Sequence, residues 1–144
     1  MTTRPGIAWR EEYAVGVAVI DSQHRTLLGL LNEVCTVDES LPVEPGMPGR
    51  LTRPLEKLND YAGYHFLAEE ALMREHLPVD EDSAAHIGAH RSYWASIASF
   101  RQRYEQGGEP VGAELVSYLE RWWLQHILET DRRLGQRLNQ AGVR

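Results

Sequence analysis

Histidines and carboxylates recur at helical spacing in this chain, on helix faces that are otherwise apolar. In HFLAEEALM, residues 65–73, His65 and Glu69 are four residues apart and lie on one helix face. The segment HIGAH, residues 86–90, repeats that spacing with His86 and His90. A buried polar group without a partner costs about 1–3 kcal/mol, so a core needs a common partner for several of them. Imidazoles and carboxylates together indicate a transition-metal ion as that partner.

Five of the six histidines fall on inward stripes, and an aspartate follows the last of them. His126 precedes Asp131 by five residues, which turn an α-helix by about 500° and leave the two about 140° apart. Asp131 therefore projects from a neighbouring stripe or follows a one-residue bulge, and either arrangement turns its carboxylate inward. The candidate metal ligands are His24, His65, Glu69, His86, His90, His126 and Asp131.

The composition of this ligand set indicates the metal. Five imidazoles and two carboxylates are too many for one ion, but they suit two octahedral ions that share bridging carboxylates and an oxide or hydroxide. One position then stays open for a small ligand. Nitrogen-rich ligation without thiolates argues against structural zinc, and it favours iron over calcium or magnesium.

Four amphipathic helices would position these side chains. Glycine and proline punctuate the pattern, and the second helix is expected to stop before Leu77-Pro78 because a residue preceding proline disfavours helix. Asp21 is the expected N-cap of the first helix. The prediction is one all-α domain, residues 1–144, an up-down-up-down antiparallel four-helix bundle with an N-terminal arm and the di-iron site in its core. The arm is predicted over about 1–20, and the helices over about 21–37, 51–76, 81–106 and 111–139.

Composition excludes several function classes. The net charge of −6, with acids and bases interleaved, disfavours a nucleic-acid partner. No apolar run approaches the roughly 18–20 residues that span a bilayer, so no membrane span is expected. The N-terminal residues lack an apolar signal core, and the single cysteine, Cys35, fits a reducing compartment as a buried thiol. A cytoplasmic location is the expectation.

Four motifs together resemble the hemerythrins, especially the bacterial single-domain members, over roughly residues 7–140. They are Trp9 followed by VGVAVIDSQH at 15–24, HFLAEEALM at 65–73, HIGAH at 86–90 and WWLQHILETD at 122–131. A four-helix bundle is the known architecture of this family. The resemblance implies two iron ions with an oxo or hydroxo bridge, and dioxygen bound reversibly at one of them. Nitric oxide and small anions are further expected ligands.

The resemblance also implies a role for each residue. His24 and His65 are expected to bind the iron with the open position. His86, His90 and His126 are expected to bind the other iron, while Glu69 and Asp131 bridge the two. The family keeps this ligand pocket dry and apolar, and the corresponding residues here are Leu27, Phe66, Trp122, Trp123 and Ile127.

Trp123 departs from the family pattern, which usually has leucine there. The larger ring must either narrow the pocket or swing outward over its mouth. Its N–H would also be able to donate to a bound anion. The connection over residues 38–50 is longer and richer in proline than in the family, which we expect to alter a surface loop.

Two residues beside the candidate ligands are expected to lie outside the site. Glu70 points about 100° from Glu69 and is placed to pair with Arg74 at i+4. His76, the sixth histidine, is expected at the surface near the end of its helix.

Three functions are compatible with this pattern. The first is a non-enzymatic protein that binds dioxygen for storage, transport or delivery. The alternative is a module that senses oxygen or nitric oxide and acts on a protein partner. A di-iron oxidase or peroxidase is less expected, because the Glu-x-x-His pairs of such enzymes do not occur at the inward positions.

Substitution of two histidines tests the division of the six histidines into five candidate ligands and one surface residue. His126→Ala should lower both the iron content and the melting temperature, because it removes a ligand and leaves a cavity. His76→Ala should change neither. Elemental analysis and thermal unfolding measure the two effects, and equal behaviour of the two variants would contradict the assignment.

Overall fold

The computed structural model describes residues 7–37, 49–106 and 111–144, and in these ranges all regular structure is helical. Four long helices follow a short 3₁₀ turn at Glu11–Tyr13 and confirm the all-α bundle. No helix in the described ranges is both long and apolar enough to cross a membrane. The long helices are α1 at Ala18–Cys35, α2 at Thr52–His76, α3 at Glu81–Gln106, and a fourth composed of α4 at Gly112–Gln125, a π-helical turn at His126–Asp131 and α5 at Arg132–Gln140.

The helix ends agree with the sequence pattern where proline marks them. Helix α2 ends at His76, and Leu77 is extended, as expected for the residue before Pro78. Cys35 is buried at the end of α1. Most of the connection predicted over 38–50 and the first part of the N-terminal arm lie outside the described residues.

The predicted N-cap role of Asp21 is wrong. Helix α1 begins three residues earlier, at Ala18, after an extended Val17. Asp21 lies in the first turn, where its carboxylate accepts a hydrogen bond from the Val15 backbone N–H at 2.7 Å. The carboxylate reaches back past the helix start to the arm, so Asp21 fastens the arm to α1 instead of capping α1.

The core consists of two apolar clusters with a polar layer between them. Along α1, Ile20 belongs to one cluster and Leu27 to the other, and His24 lies between them. Along α2, Phe66 and Met73 are divided in the same way around Glu69. The inward polar side chains are therefore shielded by hydrocarbon on both sides.

The fourth helix resolves the two alternatives for Asp131. The six residues His126–Asp131 form a π-helical turn, which accommodates one residue more than an α-turn. The extra residue keeps both end positions on the inner face, where His126 is 3% exposed and Asp131 is 0% exposed. The bulge, and not the neighbouring stripe, accounts for the five-residue spacing.

Close packing of the arm on α5 depends on a glycine. A Cβ added to Gly135 would lie 2.1 Å from the carbonyl oxygen of Val15, so only glycine permits this approach. Asn139 Nδ2 also donates to the carbonyl of Gly16 at 2.9 Å. Gly16 has a φ of 86°, a conformation that favours glycine.

Gly135→Ala should lower the free energy of unfolding by about 1–3 kcal/mol, because the new methyl group must displace the arm backbone. Urea unfolding measures this change. Gly88→Ala is the matched control, since a Cβ there meets nothing within 4 Å, and it should raise stability by about 1 kcal/mol through helix propensity. Equal stability of the two variants would contradict this packing of the arm.

Candidate metal centre

The structure brings the seven candidate ligands into the polar layer between the two apolar clusters. Each is at most 5% exposed, and every long helix contributes at least one of them. Helix α1 supplies one residue, α2 and α3 two each, and the π-helical turn its first and last. In chain order they are His24, His65, Glu69, His86, His90, His126 and Asp131.

Glu69 lies between histidines of two helices. Its Oε1 atom is 3.4 Å from His65 Nε2 and 3.2 Å from His90 Nε2. The same oxygen is 3.5 Å from His86 Nε2. One carboxylate therefore faces imidazole nitrogens from α2 and from α3.

Asp131 makes a similar set of approaches with its two oxygens. Oδ2 is 2.8 Å from His24 Nε2. Oδ1 is 3.1 Å from the Nε2 atoms of both His86 and His126. Together with the contacts of Glu69, these distances show that all five inward histidines direct Nε2 toward the two carboxylates.

The ligand atoms form two overlapping groups. Within each group, one atom from every member lies within 4.8 Å of the others. Glu69 belongs to both groups, whereas Asp131 belongs to one of them. The groups are Glu69, His86, His90 and His126, and His24, His65, Glu69 and Asp131.

Buried polar atoms without partners test whether these residues fit metal ions. Both oxygens of Glu69 and Oδ1 of Asp131 are buried without a hydrogen bond in the described structure. At about 1–3 kcal/mol each, such atoms are too costly to leave unpaired in a core. Imidazole and carboxylate donors without thiolates fit a pair of iron ions. The unpaired nitrogens are Nε2 of His65, His86, His90 and His126, and Nδ1 of His24.

Burial lowers the pKa of two of the candidate histidine ligands and keeps them neutral. Burial lowers the pKa of His65 to about 4 and that of His90 to about 2. Both are therefore neutral at pH 7, the form that binds metal. Burial also lowers the pKa of His86, but its contacts with Asp131 and Glu69 outweigh burial and raise the pKa to about 10.

The two carboxylates are shifted in opposite directions. Burial raises the pKa of Glu69 well above its usual range, and the neighbouring negative charge of Asp131 adds to the rise. Burial would also raise the pKa of Asp131, but the adjacent histidines, first of all His126, hold it well below its usual range. Negative charge in the layer therefore resides first on Asp131.

Two side chains that accept hydrogen bonds from candidate metal ligands were missed by the sequence analysis. The Nδ1–H of His65 donates to Oε1 of Gln23 at 2.7 Å, a contact from α2 to α1. The Nδ1–H of His90 donates to Oε2 of Glu70 at 2.8 Å, a contact from α3 to α2. Gln23 and Glu70 each adjoin a candidate ligand in sequence, which is the available signal for a role beside the site.

The predicted pairing of Glu70 with Arg74 is therefore wrong. The Glu70 side chain is 23% exposed and contacts the back of an imidazole on the adjacent helix. The expectation for His76 is confirmed, since its side chain is 37% exposed and its nearest ionic partner is Glu75, at 3.7 Å.

Aromatic rings cover the histidines on one side of the layer. Phe66 stacks on His90, with ring centroids 3.9 Å apart, and also on Trp123, with centroids 5.5 Å apart. Trp122, which is half-buried, stacks on His126 at 4.4 Å. Leu27 and Ile127, the remaining two candidate pocket residues, are buried in the same apolar cluster.

Trp123 points inward. Its side chain is 1% exposed, which excludes the outward position over a pocket mouth. Its Nε1–H donates to the Tyr93 hydroxyl at 3.4 Å, so this N–H is directed away from any anion at the histidines. The ring centroid lies 6.4 Å from the centroids of both His65 and His126, so the indole occupies volume beside histidines of two helices.

Comparisons with known proteins agree with this geometry. A family model described as the hemerythrin HHE cation binding domain matches residues 15–138. A bacteriohemerythrin of Stenotrophomonas maltophilia is 31% identical over 126 residues, which cover 87% of this chain and 76% of the relative. One from Ralstonia nicotianae is 27% identical over 140 residues, covering 96% and 93%.

A solved structure and a further sequence relative point to the same family. A crystal structure of wild-type hemerythrin superimposes with a TM-score of 0.73 at 24% sequence identity, and the match covers 92% of this chain and 97% of that one. A bacteriohemerythrin of Pseudomonas aeruginosa is 30% identical over 125 residues, covering 87% of this chain and 76% of the relative. Since the family model matches most of its length, the chain belongs to the hemerythrin family.

Proposed function

We propose that this protein binds dioxygen reversibly at a pair of iron ions and serves in its storage, transport or delivery. The observation that carries the proposal is the set of buried, unpaired nitrogen and oxygen atoms that face one another in a single layer. Membership of the hemerythrin family supports a di-iron oxygen-binding protein in general. The role as a store or carrier is the further step.

The proposed ligand sets follow the two overlapping groups. His24 and His65 would hold the iron that binds dioxygen, and the three remaining inward histidines would hold the other. Glu69 and Asp131 would bind both ions and offset their positive charge, which is costly to leave uncompensated in a buried layer. When bound, the iron pair supplies the electrons that reversible dioxygen binding requires.

The residues around the layer control access. Leu27, Phe66, Ile127 and Trp123 are each at most 2% exposed, and His65 is 0% exposed, so bulk water does not reach this histidine. The apolar shell around a metal site controls its solvent access and its redox properties. A shell of fully buried side chains around His65 suits a diatomic ligand better than an organic substrate. We therefore propose binding without turnover, which a steady-state assay with hydrogen peroxide tests.

Metal analysis and an optical spectrum test the proposal. Protein produced with adequate iron should contain about two iron ions per chain. Its near-ultraviolet and visible bands should bleach with dithionite and return with air, because the iron pair changes oxidation state. One ion per chain, mainly zinc, or a spectrum that does not respond to air would contradict the proposal.

Trp123→Leu should accelerate the exchange of azide at the di-iron(III) centre, because it restores space beside His65. Iron content should be nearly unchanged, since no ligand is altered. Stopped-flow absorbance measures the exchange rate. Trp9→Leu is the control for loss of an indole, because Trp9 packs on Tyr13 in the N-terminal arm. If both variants exchange azide at the wild-type rate, Trp123 does not limit access.

A further inference from the structure

The histidines of the two ligand sets are supported from behind by chemically different partners. His65, in the set with the open position, donates its Nδ1–H to the neutral amide oxygen of Gln23 at 2.7 Å. His90, in the three-histidine set, donates its Nδ1–H to the carboxylate of Glu70 at 2.8 Å. The two contacts have nearly the same length, so the difference between them is one of charge.

The second histidine of the set with the open position, His24, lacks even an amide contact at Nδ1 within the described part of the chain. His24 directs Nε2 toward Asp131, while its Nδ1 is buried without a hydrogen-bond partner in the described structure. Neither histidine of that set therefore contacts a carboxylate through Nδ1. In the described residues, the carboxylate contact through Nδ1 belongs to the other set, at His90.

A carboxylate behind an imidazole changes the imidazole as a ligand. A hydrogen bond to a charged acceptor is roughly twice as strong as one to a neutral acceptor. It also fixes the ring orientation and raises the basicity of the nitrogen that binds the metal. Phe66 stacks on the ring of His90 at 3.9 Å and limits screening by water on that face.

We infer that Glu70 is a positioning residue that, through His90, makes the three-histidine iron the more electron-rich member of the pair. The neutral Gln23, through His65, leaves the other iron with a less strongly donating ligand. The inference rests on the proposed function, since it assigns unequal electronic properties to the two iron positions. Removal of the negative charge at Glu70 should make the iron pair easier to reduce. Addition of a carboxylate at Gln23 should make it harder to reduce.

The surroundings of Glu70 permit a clean substitution. The residue borders a surface cleft of about 340 Å³ between α2 and α3, so its side chain is not locked into the core. Glu70→Gln retains an oxygen that can accept from His90 and removes the charge. Glu75→Gln removes the same charge from the same helix, at a side chain that is 69% exposed.

The reduction potential of the iron-loaded protein is the decisive measurement. Glu70→Gln should shift the potential in the positive direction, and Gln23→Glu should shift it in the negative direction. Glu75→Gln should leave it at the wild-type value. A merely structural role of Glu70 would not produce opposite shifts at the two positions.

Iron affinity provides a second measurement. Glu70→Ala removes the hydrogen bond altogether and should weaken iron binding by about 10- to 100-fold in competition with a chelator. Glu70→Gln should lose less, because it preserves the orientation of His90. Equal loss in Glu70→Ala and Glu75→Ala would overturn the positioning role.

The outcomes separate the inference from the proposed function. If the wild-type protein holds about two iron ions and Glu70→Gln leaves the potential unchanged, the inference is wrong and the proposed function stands. If the wild-type protein does not take up iron, the proposed function fails first. Opposite shifts in Glu70→Gln and Gln23→Glu support the inference even if one of the two variants binds iron less tightly.

Discussion

The burial of two carboxylates and five imidazoles in one layer is the constraint on which the rest of the structure depends. Glu69 and Asp131 are both fully buried, and apolar clusters lie on either side of them. Two buried carboxylates cannot both carry their charge at low cost unless cations or hydrogen bonds compensate them. Every long helix contributes to this layer, so assembly of the bundle necessarily brings these polar groups together and requires their charge to be compensated.

Hydrogen bonds around the layer determine the orientation of its parts. Gln23 and Glu70 each hold a histidine from the next helix in the chain, which links α1 to α2 and α2 to α3. Beyond the aromatic rings, Tyr93 accepts from Trp123 and donates to Asn59 at 2.8 Å. The polar groups of these aromatic residues are thus satisfied away from the histidines, and the space beside the histidines remains apolar.

Helical periodicity and punctuation were sufficient to predict the bundle and to bring the seven candidate ligands together. They were insufficient for contacts that depend on how adjacent helices are rotated. Glu70 lies about 100° from Glu69, and whether it meets Arg74 or His90 depends on the position of α3. Asp21 resembled an N-cap because the alternating residues before it concealed the helix start. The spacing of His126 and Asp131 allowed two backbone conformations, and hydrogen bonding within the fourth helix selects one.

The junction of the arm with α5 has a consequence for the order of folding. Asn139 contacts Gly16 across 123 residues of sequence, and His24 meets Asp131 across 107. Contacts between such distant residues carry a large loop-closure entropy and slow the folding of a domain. During synthesis the first three helices emerge without the carboxylate of Asp131 and without the arm's docking partner. The full set of candidate ligands can therefore form only after the segment that contains Asp131 has left the ribosome, long after His24 has been synthesised.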